Sequence, residues 1–235
     1  MAIRGILFDI GDTLVAATRL QQEVLRETVY AFAARGMVSN PDTLIRVYQR
    51  ADRDPRFADT PDLNHLYSDR RIIQRAFQFL RRKFDPPFGT RFLKTYRRLL
   101  RSRLQPDPSQ IKILKQLRAK KIRLGIVSNG TTLEQLDQLK RLGIEKFFDP
   151  ILISQQVGIR KPDPRICLMA AQQWHLPPHE ILVVGDRGDW EVLCAYRAGM
   201  LSALTKQFVD QRHTILPDVQ PTCVIADLNE LLDMI

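Results

Sequence analysis

The sequence predicts an α/β protein whose parallel β-sheet is covered by helices on both faces. Beyond residue 105, short apolar runs alternate with helical patterns, which is typical of strand–helix–strand units. A further apolar run lies at residues 4–9, far upstream of the others. This first strand has to join the same sheet, so the long helical stretch between them is predicted to be an insertion.

The insertion is predicted to be almost entirely helical. Apolar residues at helical spacing indicate a first helix over residues 18–35, and Gly36 is a plausible stop. Asn40-Pro41-Asp42 combines a turn with a helix cap. The remaining helices of this region are predicted at residues 41–50, 70–84 and 91–104.

The pattern changes at Gln105-Pro106-Asp107-Pro108, where the strand–helix alternation begins. A helix through Lys120 precedes the next apolar run. Strands are predicted at residues 122–127, 150–153, 181–184, 201–204 and 223–226. The helices between them are predicted at residues 131–142, after Pro164, and from Asp186 to Ala198.

The composition is that of an ordinary globular protein, with 44% hydrophobic residues among 235. No apolar run approaches the length of a membrane span, and Arg4 and Asp9 interrupt the first segment too early for a signal peptide. The three cysteines are odd in number and lack CxxC spacing. We therefore expect a cytoplasmic protein with reduced thiols and no membrane partner.

The net charge of +10 is concentrated in one part of the chain. Between Arg70 and Arg123 there are eighteen lysines and arginines against two aspartates. The interpretation that we favour is the solvated face of several helices, and the alternative is a surface that attracts nucleic acid or another polyanion. Aromatic residues interleave with these charges and are predicted to fill a helical core: Phe77, Phe79, Phe84, Phe88, Phe92 and Tyr96.

Four polar residues end predicted strands or follow them: Asp9, Ser128, Lys161 and Asp186. Taken singly, each is more typical of a helix cap, a turn or a solvated side chain. In an open α/β sheet, however, the carboxyl ends of the strands form the edge where ligands bind. The convergence of all four on this edge indicates a functional site.

The stretches around these residues resemble the four motifs of the haloacid dehalogenase superfamily of aspartate-nucleophile hydrolases. They occur in the family's order as "ILFDIGDTL", "GIVSNG", "GIRKPDP" and "VVGDRGDWEVLCAYRAGM". The resemblance implies a Rossmann-like three-layer core at residues 1–15 and 106–235, with an α-helical cap at 16–105. Within the superfamily, the chain is similar to the phosphatase branch that carries its cap after the first motif, as in phosphoglycolate-phosphatase-like and nucleotidase-like enzymes.

This resemblance implies hydrolysis of phosphate monoesters in two steps. Asp9 would be the nucleophile and form an aspartyl-phosphate that water then hydrolyses. Lys161 would offset the repulsion between two anions, and Ser128 with Asn129 and Gly130 would hold the phosphoryl group. Arg187 would be either a further phosphate contact or an exposed side chain.

The resemblance also implies a Mg²⁺ cofactor, which prefers oxygen ligands and keeps several waters. Asp9, the backbone carbonyl of Gly11 and Asp186 are the expected ligands. The second acidic position of the fourth motif falls on Glu191, which would support the metal. Asp189 is the alternative to Glu191, or else only a helix cap.

The first motif departs from the phosphatase pattern at Gly11, where most members have a second aspartate as general acid and base. General acid–base catalysis contributes roughly 10²–10⁴-fold, so its loss would slow turnover. One explanation is that Asp12 takes the role, because glycine at position 11 can re-aim the loop. Another is a substrate with a good leaving group.

The third explanation is a different reaction, since dehalogenases and phosphonate-cleaving members also lack that aspartate. The acidic "GDRGDWE" disfavours the metal-free dehalogenases. A phosphonatase would need a Schiff-base lysine in the cap, and neither of the cap lysines, Lys83 and Lys94, is assigned that role. A catalytically weak protein that binds an anionic partner through residues 70–123 is the remaining alternative. The prediction is therefore a Mg²⁺-dependent phosphatase of small phosphorylated metabolites, with nucleic acid disfavoured as a partner.

Overall fold

The computed structural model describes residues 2–52 and 69–235, so residues 53–68 of the predicted insertion lie outside it. The chain divides into two compact units. One combines Met1–Ala17 with Gln105–Ile235 and is called the sheet unit below. The other, Thr18–Leu104, is called the helical unit.

A six-stranded, wholly parallel sheet forms the centre of the sheet unit, in the order β3-β2-β1-β4-β5-β6. This confirms the predicted α/β fold. The strands are β1 Gly5–Phe8, β2 Arg123–Ser128, β3 Ile151–Ile153, β4 Ile181–Gly185, β5 Leu201–Thr205 and β6 Cys223–Ile225. The α-helices of the described residues are α1 Ala17–Ala33, α2 Pro41–Asp52, α3 Asp69–Phe79, α4 Pro86–Arg103, α5 Pro108–Ala119, α6 Thr132–Arg141, α7 Ser154–Val157, α8 Arg165–Trp174 and α9 Leu193–Ala198. A π-helix, Gly188–Val192, directly precedes α9.

The register of the central strands determines which residues meet at the carboxyl edge. All four residues of β1 are buried, as expected for a strand covered on both faces. Phe8 pairs with Ile126 of β2 and with Val184 of β4. The residues that follow these three positions therefore reach the same edge, and the Asp9 amide continues the ladder by donating to the Val184 carbonyl at 2.9 Å.

Two helix boundaries differ from the sequence prediction by five residues, and both differences have local causes. The helix predicted from residue 91 begins at Pro86, because the Asp85 carboxylate caps it by accepting from the Phe88 amide at 3.2 Å. The helix predicted to continue to residue 84 ends at Phe79. Arg81 then takes a left-handed backbone conformation, φ 53°, which is incompatible with continuing the helix.

The helical unit has an aromatic core, as predicted. Phe32 of α1 contacts Phe88 and Phe92 of α4, each at 5.5 Å between ring centroids and nearly edge-on. Phe88 and Phe92 themselves stack at 5.8 Å. Ring pairs in these geometries add about 0.5–1.5 kcal/mol beyond burial alone.

The basic residues of α4 lie on the face opposite to this core and are exposed: Arg91, Lys94, Arg97, Arg98, Arg101 and Arg103. This distribution agrees with a solvated helix face. Within the described ranges, no helix is both long and apolar enough to cross a membrane. All three cysteines are free, with Cys167 and Cys194 buried side by side.

Candidate active site

Asp9 is the centre of the site at the carboxyl edge of the sheet. It follows β1 directly and is only 8% exposed. Its Oδ1 accepts a hydrogen bond from Lys161 Nζ at 2.6 Å and another from Ser128 Oγ at 3.2 Å. The structure therefore brings together the predicted nucleophile, cation and hydroxyl from three separate parts of the chain.

The Asn129 side chain forms two hydrogen bonds to the backbone of Lys161. Its Nδ2 donates to the Lys161 carbonyl at 3.1 Å, and its Oδ1 accepts from the Lys161 amide at 2.9 Å. The next amide, Gly130, donates to Ser154 Oγ at 3.0 Å. In the structure, the Asn129 side chain and the Gly130 amide join the segment after β2 to residues that follow β3. Their predicted contact with substrate stays a prediction.

Lys161 is completely buried between two carboxylates. Besides Asp9, its Nζ lies 2.5 Å from Oε1 of Glu191. Burial by itself lowers the pKa of Lys161, but the charges of Asp9 and Glu191 outweigh burial and hold this pKa above its ordinary value. Lys161 is therefore a permanent cation in the site at physiological pH.

Glu191, which was predicted to support the metal, contacts two groups of the protein. Its Oε1 pairs with Lys161, and its Oε2 accepts from the Arg187 amide at 3.1 Å. Glu191 is 1% exposed, and burial raises the pKa of its carboxyl although Lys161 opposes this shift. With both oxygens engaged inside the protein, Glu191 is placed to orient Lys161.

Asp186 is buried close to other carboxylates. Its pKa is raised to about 8, first by burial and then by the negative charges of Glu191, Asp9 and Asp12. Its Oδ2 accepts a hydrogen bond from Gln211 Nε2 at 2.7 Å. The sequence reasoning missed Gln211, which lies in the irregular segment after β5 and belongs to no recognisable motif.

The remaining residues of the fourth motif form a local charged cluster. The guanidinium of Arg187 pairs with Asp189 at 2.6 and 2.9 Å and lies 4.1 Å from the centre of the Trp190 ring. Arg160, beside Lys161 in sequence, approaches the same ring at 5.9 Å. Asp189 is thus the partner of Arg187 in this structure, and both side chains are about one-third exposed.

The loop after Asp9 is re-aimed, but at a different residue from the one predicted. Gly11 has no left-handed backbone, whereas Asp12 does, with φ 53°. The Asp12 amide donates to the Val15 carbonyl at 2.7 Å, and its side chain is buried close enough to influence Asp186. Aspartate tolerates this conformation better than most residues, so the glycine is not what permits it.

The chemistry of the donor set fits a hard divalent cation. Among residues 2–52 and 69–235, no group of three or more His, Cys, Asp or Glu side chains is arranged as a metal site. A cation at the sheet edge would thus rely on few carboxylates, together with a backbone carbonyl and waters, as Mg²⁺ does. Four buried carboxylates, those of Asp9, Asp12, Asp186 and Glu191, accompany the buried ammonium of Lys161 in the described part of the site, and such an excess of negative charge favours a cation.

Fold and site together define an α/β protein with a buried aspartate and its cation at the carboxyl edge of a parallel sheet. Residues 3–199 match the model of the haloacid dehalogenase-like hydrolase family. The chain belongs to this family, as its four motifs predict.

Full-length relatives and a solved structure agree with this assignment. The chain is 30% identical to the glyceraldehyde 3-phosphate phosphatase of Methanopyrus kandleri, with 99% of this chain and 97% of the relative covered. It is 27% identical to the phosphatase of the same name from Methanocaldococcus jannaschii, with the same coverage. The magnesium-bound HAD-hydrolase YfnB of Bacillus subtilis has the same fold, with a TM-score of 0.74 at 19% identity over 100% of this chain and 99% of that one.

Proposed function

We propose that this hydrolase is a Mg²⁺-dependent phosphatase of small phosphorylated metabolites, with Asp9 as its nucleophile. The observation that carries the proposal is the convergence of Lys161 and Ser128 on one oxygen of Asp9. The phosphatase names of the relatives that match the whole chain support the reaction class. The sheet unit is the catalytic core in this proposal, and the helical unit is the family's cap.

In the first step, Asp9 attacks the phosphorus of a phosphate monoester. A bond forms between an Asp9 oxygen and phosphorus while the ester P–O bond breaks, which leaves an aspartyl-phosphate and an alcohol. Lys161 offsets the repulsion between the carboxylate and the incoming phosphate, since its charge is permanent. Ser128 turns its hydroxyl from Asp9 to a phosphoryl oxygen.

Asp12 supplies the proton that the leaving alkoxide needs. In the second step the same carboxylate takes a proton from water, whose oxygen attacks phosphorus and releases Asp9 with inorganic phosphate. Support for this role comes from the burial of Asp12 and from its electrostatic influence on Asp186. Gly11 has no side chain that could transfer a proton.

Asp9, Asp186 and the Gly11 carbonyl are the residues that would hold Mg²⁺. The bound ion would neutralise part of the phosphate charge and orient one of its oxygens. Glu191 acts beside this set as a positioning residue, because its carboxylate fixes the Lys161 ammonium.

The decisive experiment is phosphate release from a panel, with and without Mg²⁺. The panel contains glyceraldehyde 3-phosphate, a nucleoside monophosphate, an activated aryl phosphate and, for the dehalogenase alternative, a 2-haloacid assayed for halide. We expect Mg²⁺-dependent release from the alkyl phosphates, no halide, and a loss of at least about 10³-fold in Asp9→Asn.

The isosteric Asp9→Asn variant keeps the shape of the site, so its melting temperature serves as the folding control. Release that survives in a folded Asp9→Asn protein would exclude Asp9 as the nucleophile. Release from the aryl ester alone would show that no group replaces the missing second aspartate. Halide release without phosphate release would assign the chain to the dehalogenases.

A further inference from the structure

The segment after β5 returns to the sheet edge and contacts the fourth motif at Asp186. Gln211 Nε2 donates to Asp186 Oδ2 at 2.7 Å. Because this hydrogen bond engages one carboxylate oxygen, it fixes the plane of the carboxylate and directs the other oxygen. Such a partner is what a metal-binding carboxylate needs, since outer hydrogen bonds orient the ligands themselves.

Gln211 is itself held by a short turn. Thr214 Oγ1 donates to the Gln211 carbonyl at 2.8 Å, and the Thr214 amide donates to the same carbonyl at 2.9 Å. The hydroxyl of Thr214 also accepts from the Gly188 amide at 2.6 Å. The turn is therefore joined at two points, Asp186 and Gly188, to the loop that follows β4.

The approach between the two segments is so close that residue 188 has no room for a side chain. A Cβ on Gly188 would lie 2.5 Å from Ile215 Cα and 2.6 Å from Ile215 N. Glycine at this position thus permits backbone-to-backbone contact. The contact fixes the position of residues 211–215 against the Asp186 loop.

We propose that Gln211 is a positioning residue for Asp186 and that Thr214 locks it in place. The inference rests on the proposed function, because it assigns Asp186 to the Mg²⁺ site. Gln211 acts on the affinity for the ion by pre-orienting one ligand. It does not touch the phosphate or transfer a proton, so the chemical step itself should depend on it little.

The test is the affinity for Mg²⁺ measured by titration calorimetry on Gln211→Met, which keeps the side-chain length and removes the donor. We expect about tenfold weaker Mg²⁺ binding, within the range of roughly 10–100-fold seen for outer partners of metal ligands. The kcat at saturating Mg²⁺ should stay within about threefold of wild type. Thr214→Val should weaken Mg²⁺ binding in the same direction.

Gln207→Met is the matched control. Gln207 lies in the same segment and also makes one side-chain hydrogen bond, but its Oε1 accepts from the Leu228 amide at 3.0 Å, away from Asp186. We expect its Mg²⁺ affinity to equal that of wild type. Melting temperatures in a chelator report whether either glutamine variant has lost structure.

Unchanged or tighter Mg²⁺ binding in a folded Gln211→Met protein would overturn the inference, as would equal weakening in Gln207→Met. These outcomes leave the proposed function intact if wild type still releases phosphate with Mg²⁺. A wild-type protein that neither binds Mg²⁺ nor releases phosphate overturns the proposed function, and the inference with it.

Discussion

The two units of this protein bury very different side chains. In the described part of the helical unit, Thr28 is the one buried polar residue, and the rest of its core is apolar and aromatic. The sheet unit buries carboxylates, hydroxyls, an amide and an ammonium: Asp9, Asp12, Thr13, Gln110, Ser128, Ser154, Lys161, Asp186, Glu191, Ser202 and Thr205. Most of these lie at or beside the carboxyl edge of the sheet.

This difference separates stability from chemistry. Burying a charge is costly unless it is paired, and even a paired charge contributes little net stability. The helical unit avoids that cost, and aromatic packing supplies its stability. The sheet unit carries the cost of buried charge, because a nucleophilic carboxylate and its cation interact most strongly with a reacting group where water is excluded.

The most damaging substitution that we predict removes the Lys161 ammonium from its position between Asp9 and Glu191. Lys161→Met leaves Asp9 and Glu191 facing each other without compensation. We expect phosphate release to fall by at least about 10³-fold and the free energy of unfolding to fall by about 3–5 kcal/mol. Urea unfolding in a chelator measures the second quantity.

A second substitution tests the cause of that instability. Lys161→Met/Glu191→Gln removes one of the stranded carboxylates, so it should recover much of the stability and none of the activity.

The pKa of Lys161 is raised, so its charge is present throughout the range below about 10.4, and wild type should keep this contribution to stability from pH 5 to 8. The deficit of Lys161→Met should shrink as the pH falls, because burial raises the pKa of the stranded Glu191 carboxyl and favours its protonation. Equal stability of Lys161→Met and Lys161→Met/Glu191→Gln would show that the stranded carboxylates are not the cause of the instability.

The next effect is confined to the apolar core of the helical unit. Phe92→Ala removes a fully buried ring that contacts Phe32 and Phe88. We expect a loss of about 3–5 kcal/mol in the free energy of unfolding, with release from the aryl ester by folded protein nearly unchanged. Tyr30→Ala, at a 43% exposed ring, is the control and should cost much less.

The smallest of the three effects concerns the proton donor. Asp12→Asn should fold normally, because asparagine also tolerates the left-handed backbone at this position. We expect turnover of an alkyl phosphate to fall about 10²-fold and that of the aryl phosphate far less, since a good leaving group needs no proton. Steady-state kinetics on the two substrates measures the contrast.

An aspartate placed at position 11, where most phosphatases of the family have one, gives a second test of the role of Asp12. Among the described residues, a Cβ on Gly11 would meet only the Ala17 Cβ within 4 Å, at 3.6 Å, which is ordinary contact. Gly11→Asp in the Asp12→Asn background should therefore recover at least about tenfold in alkyl phosphate turnover. The double variant with Gly11→Asn has the same size without a carboxyl group and should recover none. Full activity of Asp12→Asn alone would exclude Asp12 as the acid.

Much of the fold was predictable because its signals are local. Apolar runs marked the strands, and the four residues expected at the carboxyl edge follow from strand ends in a parallel sheet. The start of α4 has a local signal too, because Asp85 followed by prolines is a typical helix cap. The partners of Asn129 and Glu191 have no such local signal, because they depend on how loops from separate strands pack.

Local sequence patterns are enough to predict the class of this protein: a parallel α/β sheet with a helical insertion, a family defined by four ordered motifs, and Asp9 beside a cation. The pairing of the buried charges becomes visible only in the folded chain. The fold placed Glu191 on Lys161, gave Asp12 the left-handed turn, and brought Gln211 to Asp186. The physical reason is range: strand and helix patterns are set by neighbouring residues, whereas the partner of a buried charge is set by whichever distant segment the fold places beside it.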